Sequence, residues 1–443
     1  MKNIYLLSLG CPRNMLDSEI LLGLLNERSF TIVDEAESAD IAIVNTCGFI
    51  EDAKKESIDI ILQLAELKKE GIIQKLIVAG CLSQRYPDEL KGEIKEIDGI
   101  FGSSDFIKIP GFLNKLVSDK GVKEVTSTPD FLYDHTYSRN LLTLPHYAYV
   151  KIQEGCSNRC TYCVIPDLKG PRRSRDIGSV VKEVEKLRTD HDIKEAVIIG
   201  QDTTSFGLDR SGQSELAALL REVTPVMKDR WIRLLYTHPA HFTDDLIDVM
   251  TSNKNICKYV DLPVQHINSD ILKKMNRMST AEEIKTLIDR LRRRIDDVTL
   301  RTSIIVGFPG ETEDMFNELL DFLEKVKFDR LGAFIYSKEE GTPAYGFPDQ
   351  VPEEIKRERF DKVMRLQQDI SADNNTKIIG KTLKTLIDET INDDPSQFIG
   401  RSEKDAPEVD GVIFVKGKDL KPGDFVDVKI TGTMEYDMTG DAT

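Results

Sequence analysis

Apolar and polar positions along the chain fall into three successive patterns. Over residues 1–117, short apolar runs at Asn3–Gly10, Asp40–Thr46 and Lys75–Gly80 alternate with helical periodicity at Asp17–Glu27 and Ile50–Lys69. Such alternation predicts an open parallel sheet covered by helices. Residues 118–141 are polar, rich in turn formers and without a period, and are read as a linker. From Tyr147 the alternation resumes for six units. Strands are expected at Ala148–Gln153, Glu195–Gly200, Trp231–Tyr236, Tyr259–Val264, Val298–Val306 and Arg330–Tyr336. Helical stretches at Gly178–Leu187, Ser214–Val226, Ala281–Arg294 and Thr312–Val326 separate them. Six consecutive units predict a partial (β/α) barrel over 142–372, with a doubly wound open sheet as the rival. After Asn374 the runs KTLKTLIDET, FIGRSE, GVIFVKG and DFVDVKITGTMEYDM are separated by polar turns. They predict a small OB-like β-barrel over 374–440. The expected fold class is α/β multidomain with this β-barrel appended.

Length fits this division, since 443 residues correspond to about three domains. No apolar run approaches the roughly 18 residues that cross a bilayer. The opening MKNIYLLSLGCPRN is too soon interrupted for a signal peptide. The cytoplasm is the expected location, with no membrane partner. The net charge of −16 opposes binding to a phosphate backbone and suits a basic protein partner, although ordinary solubility charge accounts for it equally well.

The seven cysteines change the picture most. An odd number in a reducing compartment argues against disulfides and for metal or cluster ligation. Cys156, Cys160 and Cys163 form a C-x3-C-x2-C loop directly after the first barrel strand, at the strand end where barrel active sites assemble. Three thiolates on one loop suit a 4Fe–4S cluster and leave one iron open. A structural zinc site, which needs a second ligand pair, and unligated core thiols are the alternatives. Cys11, Cys47 and Cys81 each end one predicted parallel strand of the first domain, flanked by Gly10, Gly48 and Gly80. The carboxyl ends of such strands share one sheet edge, so these cysteines form a second three-thiolate set, unless they are small buried hydrophobes. Cys257 precedes a barrel strand and is read as a core thiol.

Other polar residues follow barrel strands and are expected to face the same end: Gly200, Gln201 and Asp202, Gln265 and His266, and Gly307 in GFPGET. Glycines there let a ligand approach the backbone. Arg172, Arg173 and Arg175 are candidates to meet a carboxylate, with a basic surface loop as the alternative.

These motifs resemble, over essentially the whole chain, the radical S-adenosylmethionine (SAM) methylthiotransferase family, in the order N-terminal domain, radical SAM barrel, TRAM domain. The resemblance implies two 4Fe–4S clusters and SAM as cofactors. It implies that the cluster on Cys156, Cys160 and Cys163 binds SAM through its open iron, and that an external electron donor drives its cleavage to a 5′-deoxyadenosyl radical. It further implies that the cluster on Cys11, Cys47 and Cys81 carries the sulfur, and that a second SAM supplies the methyl group. Gly200, Gln201, Asp202, Gln265, His266 and Gly307 become candidate SAM contacts.

The family divides between tRNA adenosine and an aspartate of ribosomal protein S-twelve as substrates. Gly10-Cys11-Pro12-Arg13-Asn14 and the segment Asp405–Gly411 resemble the ribosomal-protein branch, although Arg13 stands where that branch commonly has lysine. From Thr376 onward 9 Lys and Arg face 14 Asp and Glu, an acidic balance that suits a basic protein better than tRNA. The expected activity is methylthio transfer to the β-carbon of that aspartate, with tRNA methylthiotransfer as the second hypothesis. A two-cluster electron carrier without SAM cleavage is the third.

Overall fold

The structure, a computed structural model, describes residues 2–28, 30–114, 123–391 and 394–443. The N-terminal sheet has six parallel strands in the spatial order Thr31–Val33, Asn3–Ser8, Ile41–Thr46, Lys75–Gly80, Gly99–Phe101 and Lys123–Val125. Its three longest strands are those expected from the sequence. The other three have three residues each, too few to show a period. Because Asn3–Ser8, Ile41–Thr46 and Lys75–Gly80 are neighbours paired in register, with Ser8 opposite Asn45 and Thr46 opposite Gly80, their carboxyl ends lie side by side.

The helix Pro12–Asn26 starts immediately after Cys11, with proline at the position that needs no N–H donor. It is buried nearly all round because it lies between the sheet and the barrel. Leu16, Ile20, Leu21 and Leu25 join Ile43 and Phe101 to Tyr149, Val197 and Ile199 of the barrel wall in one core. Its buried carboxylates find cations on barrel-side segments: Asp17 pairs with Lys151 at 2.5 Å and Lys169 at 2.9 Å, and Glu19 with Arg139 at 2.5 Å. A buried charge persists only when paired in this way.

The central strands are all parallel and follow the order Tyr147–Lys151, Glu195–Ile199, Trp231–Leu234, Tyr259–Asp261, Thr299–Val306, Arg330–Ile335. Hydrogen bonding thins between the third and fourth, where a bridge from Ile232 to Ile256 and the bond from Thr237 N to Asp261 O hold the seam. Sequential order without reversal is that of a barrel wall, which sets aside the doubly wound alternative. Helices cover its outside through a second core that includes Val184, Leu220, Ile247, Leu287 and Phe316.

Two expectations need correction. Residues 118–122 of the linker, like the boundary at 117, lie outside the described residues. The rest is no free linker. Lys123–Val125 completes the N-terminal sheet, and Tyr133, 2% exposed, hydrogen-bonds the carbonyl of Lys151 under the barrel wall. The scattered aromatics Phe131, Tyr133 and Tyr137 anchor this stretch without any period. In addition, the helix Glu353–Thr376 runs straight through the junction expected at 372–374.

The C-terminal unit is a closed five-stranded barrel in the order Thr382–Thr390, Gln397–Ser402, Ile413–Lys416, Met438–Ala442, Phe425–Thr433. All pairings are antiparallel except Ile413–Lys416 with Met438–Ala442, an OB-like arrangement. It docks on the amino-terminal ends of the barrel strands. Asp405 pairs with Arg330 at 2.6 Å, Asp388 with His146 at 2.7 Å, and Asp410 accepts from the Tyr259 hydroxyl at 2.6 Å. Glu408 accepts from Tyr147, and Arg401 and Arg233 share buried Glu195. The carboxylates of Asp405 and Asp410 therefore face inward and are matched across the interface, whereas Glu408 and Val409 stay exposed.

Candidate functional site

Five of the six candidate cysteines follow the carboxyl ends of strands directly or within a short loop, and Cys163 closes the loop that begins at Cys156. Cys81 opens the short helix Cys81–Arg85, Cys47 follows Thr46, and Cys11 begins the helix Pro12–Asn26. Glycine is required at Gly10: its φ is +88°, and a Cβ there would lie 2.7 Å from the Cys47 Cβ and 2.9 Å from its sulfur. The thiols of Cys11, Cys47 and Cys81 act on one another electrostatically, as do those of Cys156, Cys160 and Cys163. The two sets also meet. Cys81 packs with Val164 and Leu168, so it lies against the loop that carries Cys163. Nearby, the Ser103 hydroxyl donates to the carbonyl of Leu168 at 2.5 Å.

The electrostatics suit soft thiolate ligands. Backbone N–H groups two residues on favour the thiolates of four sulfurs: Arg13 for Cys11, Phe49 for Cys47, Asn158 for Cys156 and Ile165 for Cys163. Burial pushes Cys156 up to about 11 and Cys81 and Cys163 up to about 12, so these thiols stay protonated unless a metal takes the proton's place. Cys11 differs. Burial works against its thiolate, but the charge and hydrogen bond of Arg13 bring it below the ordinary thiol value. Around the gap, Lys169 acts on Cys81, and an Arg277 N–H points at the Cys160 sulfur 3.8 Å away. Six thiols in two sets, with N–H donors to sulfur and cations to offset negative charge, fit two iron–sulfur clusters with three protein ligands each. Cys257, in contrast, is 1% exposed beneath the barrel, and burial pushes it to about 12, as fits a core thiol.

The remaining predicted residues fall into distinct settings. The Gly200 carbonyl accepts from Arg13 at 3.0 Å, and Gln201 donates to Glu154, which Lys151 also holds. Asp202 is buried, accepts from Asn158 at 2.7 Å within the cysteine loop, and lies 2.7 Å from His241 Nδ1. Burial opposes its ionised form, but the bond to His241 and the neighbouring charges keep its carboxyl well below the usual range. Gln265 holds a left-handed φ of +70° while its backbone bridges Ile304. His266 is fully buried, accepts from Asn268 N through Nδ1, and among the described residues has no partner at Nε2. Gly307 N donates to Glu311, and Phe308 packs edge-on against Tyr162 of the cysteine loop. Of the three arginines, Arg175 pairs with buried Glu183 and Arg173 turns to the carbonyls of Lys169 and Pro171. Only Arg172 acts on Cys156.

Several residues at the gap were not singled out for chemistry from the sequence. Tyr236, His238 and His241 follow the third barrel strand, so the same strand-end rule finds them. In the sequence Arg13 stands out only as a branch marker. Arg277 and Lys169 come from loops and a short helix and carry no local signal.

Residues 150–323 match the radical SAM superfamily, residues 379–443 the TRAM domain, and residues 3–102 a family described as uncharacterized, UPF0004. Among solved structures, the radical SAM methyltransferase TsrM from Kitasatospora setae, with cobalamin and a 4Fe–4S cluster bound, superposes with a TM-score of 0.58 at 16% identity over 77% of each chain. The cobalamin-dependent radical enzyme OxsB gives 0.53 at 13% identity, over 83% of this chain and 56% of that one. At such identities the likeness concerns the fold. Curated relatives are far nearer. The ribosomal protein uS12 methylthiotransferase RimO of Clostridioides difficile is 48% identical over 100% of this chain and 99% of that protein. Its counterpart in Desulforamulus reducens is 49% identical over the same shares. With identity spanning all three units, the chain belongs to the RimO methylthiotransferase family.

Proposed function

We propose that this protein is a radical SAM enzyme that places a methylthio group on the β-carbon of an aspartate in ribosomal protein uS12. The observation that supports this most directly is the meeting of two three-cysteine sets at one gap, with Cys81 packed beside the Cys163 loop. Cys156, Cys160 and Cys163 would hold one 4Fe–4S cluster, and Cys11, Cys47 and Cys81 the other. SAM would lie along Gly200, Gln201, Asp202, Gln265, His266 and Gly307. Bound there, these groups supply one-electron chemistry able to remove hydrogen from an unactivated C–H bond, together with the sulfur and methyl that replace it.

The chain's own residues bind, orient and exclude water. Asp202, fixed by Asn158 and His241, offers an ionised acceptor beside the cysteine loop. Arg172 and Arg277 offer cations to a ligand carboxylate, since among the described residues neither forms an ion pair with a protein carboxylate and Arg277 is bound instead to the Pro263 carbonyl and the Cys160 sulfur. Tyr162, Phe308 and Tyr336 build an aromatic wall behind Cys160 and Cys163. Electrons come from an external donor in the cytoplasm, where the thiols stay reduced. The N-terminal sheet, the central barrel and the C-terminal β-barrel would serve sulfur delivery, radical chemistry and substrate positioning, respectively.

The test is oxygen-free turnover of reconstituted enzyme with SAM, reductant and sulfide, offering uS12 and unmodified tRNA in parallel. Mass spectrometry is expected to find the methylthio adduct on an aspartate of uS12 alone. An adduct on tRNA alone overturns the substrate, and no SAM cleavage overturns the chemistry. Replacing Cys156, Cys160 and Cys163 by alanine is expected to remove about half of the bound iron. No loss refutes the ligand assignment.

A further inference from the structure

Arg13 stands between the two cysteine sets. Its charge favours the Cys11 thiolate and also acts on Cys47 and on Cys163 across the gap. One N–H donates to the Gly200 carbonyl at 3.0 Å, and the guanidinium lies 4.3 Å over the ring of Tyr236. Tyr236 is itself held in a left-handed conformation, φ +60°, with its N–H on buried Asp261. The platform that aims Arg13 is therefore built into the barrel wall.

The other cations of the gap have different settings. Lys169 is paired with Asp17 at 2.9 Å. Arg277 is bound to the Pro263 carbonyl at 2.7 Å and to Cys160. Arg172 acts on Cys156 and on His238, at the Asp202 side of the site. Among the described residues Arg13 forms no ion pair with a carboxylate; Glu154, already paired with Lys151, acts on it from beyond ion-pair distance. Of its five N–H groups, one goes to the Gly200 carbonyl, and even with another turned to Cys11 a donor edge is left for a planar anion.

We propose that Arg13 determines substrate specificity: its guanidinium takes the side-chain carboxylate of the modified aspartate and sets the β-carbon between the two cysteine sets. This rests on the functional reading above. The carboxylate is bonded directly to the carbon that loses hydrogen, so wherever that carbon reacts, a negative charge enters a gap already lined by thiolates. A carboxylate buried there without a cation carries a heavy desolvation cost and like-charge repulsion. Arginine meets it with paired, directional bonds that fix the side chain's rotation as well as its position. An asparagine of the same shape gains neither the charge interaction nor the fork, so discrimination between the two is the property this arrangement confers.

The experiment measures binding of two uS12-loop peptides, with aspartate or asparagine at the modified position, to iron-replete holoenzyme by fluorescence anisotropy. The adduct position on intact uS12 is mapped alongside. Wild-type enzyme is expected to bind the aspartate peptide about tenfold or more tightly than the asparagine peptide. Arg13→Gln is expected to bring that ratio to about one, and Arg13→Lys to leave an intermediate ratio, since lysine keeps the charge without the fork. Iron content of each variant is measured first. If Arg13→Gln loses iron, Arg13→Lys and the wild-type ratio decide the matter. Equal binding of the two peptides by wild-type enzyme, or an undiminished ratio in an iron-replete variant, overturns the proposal while leaving the enzyme's activity as read. Absence of any adduct on an aspartate of uS12 overturns the functional reading and this proposal together.

Discussion

Replacing Gly10 by alanine is expected to disable the N-terminal cysteine set selectively. Two penalties combine at this position. An L-residue at φ +88° bears left-handed strain of about 1–2 kcal/mol. The new methyl would sit 2.7 Å from the Cys47 Cβ, far inside the contact distance of about 3.5–4.0 Å. Relief requires moving Cys47, because its Cβ is fixed to the backbone, and overpacking of this kind costs about 1–3 kcal/mol. The sum, about 2–5 kcal/mol, is enough to displace one ligand of a three-ligand set. Gly71→Ala separates the two penalties. Gly71 has φ +79° but nothing within 4 Å of an added Cβ, so that variant carries the strain without the clash. Both proteins are reconstituted without oxygen, and iron per chain is measured beside the unfolding midpoint. Gly10→Ala should bind about half the wild-type iron, and Gly71→Ala the full amount. Full iron in Gly10→Ala, or equal losses in both, would falsify the reasoning.

Three further outcomes follow from buried charge. Asp405→Ala leaves Arg330, 7% exposed, without its partner and should destabilise the docked C-terminal barrel by about 3–5 kcal/mol; limited proteolysis near the Glu353–Thr376 helix reads this, and Arg330→Met in the same chain should restore most of the resistance. Glu339→Ala removes the carboxylate that holds both Lys54 and Arg85 of the N-terminal domain, so hydrogen exchange should rise in the Glu51–Lys69 helix, and an unchanged rate would dissociate the pair from domain docking. Burial, reinforced by the charge of Arg359, pushes His266 down to about 3 from an ordinary 6.5. The unfolded chain therefore binds the proton that the folded chain refuses, and stability should fall as pH drops below 6.5, by up to about 1.4 kcal/mol per pH unit from this group. His266→Asn should flatten that slope, and a slope identical to wild type would show that other groups set it.

What the sequence reveals depends on how local the cause is. Ile41–Thr46 and Lys75–Gly80 are buried on both faces, so their unbroken apolar runs announce parallel strands, and the cysteines after them inherit a shared edge from topology alone. The barrel strands are legible for the same reason. The helix Pro12–Asn26 hides its start and its faces because it is buried by the sheet on one side and the barrel on the other, so polar Asp17 and Glu19 occupy interior positions. Residues 126–141 look like a linker because their anchors are single aromatics and the pair Arg139–Glu19, 120 positions apart. Arg277 reaches Cys160 from 117 positions away, and no spacing rule connects them. The acidic C-terminal segment is legible only in part for a related reason: composition counts carboxylates but does not say which are already matched by Arg330, Arg301 or a tyrosine across the interface.

The C-terminal barrel grips the opposite end of the wall from the cysteine gap. The first wall strand between them, Tyr147–Lys151, spans about 16 Å, five residues at roughly 3.3 Å apiece. The stiff helix Glu353–Thr376 and the buried pairs at the interface prevent that span from collapsing. A substrate held by the C-terminal unit cannot have its reacting side chain at the point of grip. Under the proposed function the molecule would work as a caliper: with one jaw on the target's body, only a protruding loop long enough to reach the other jaw would present its aspartate for reaction.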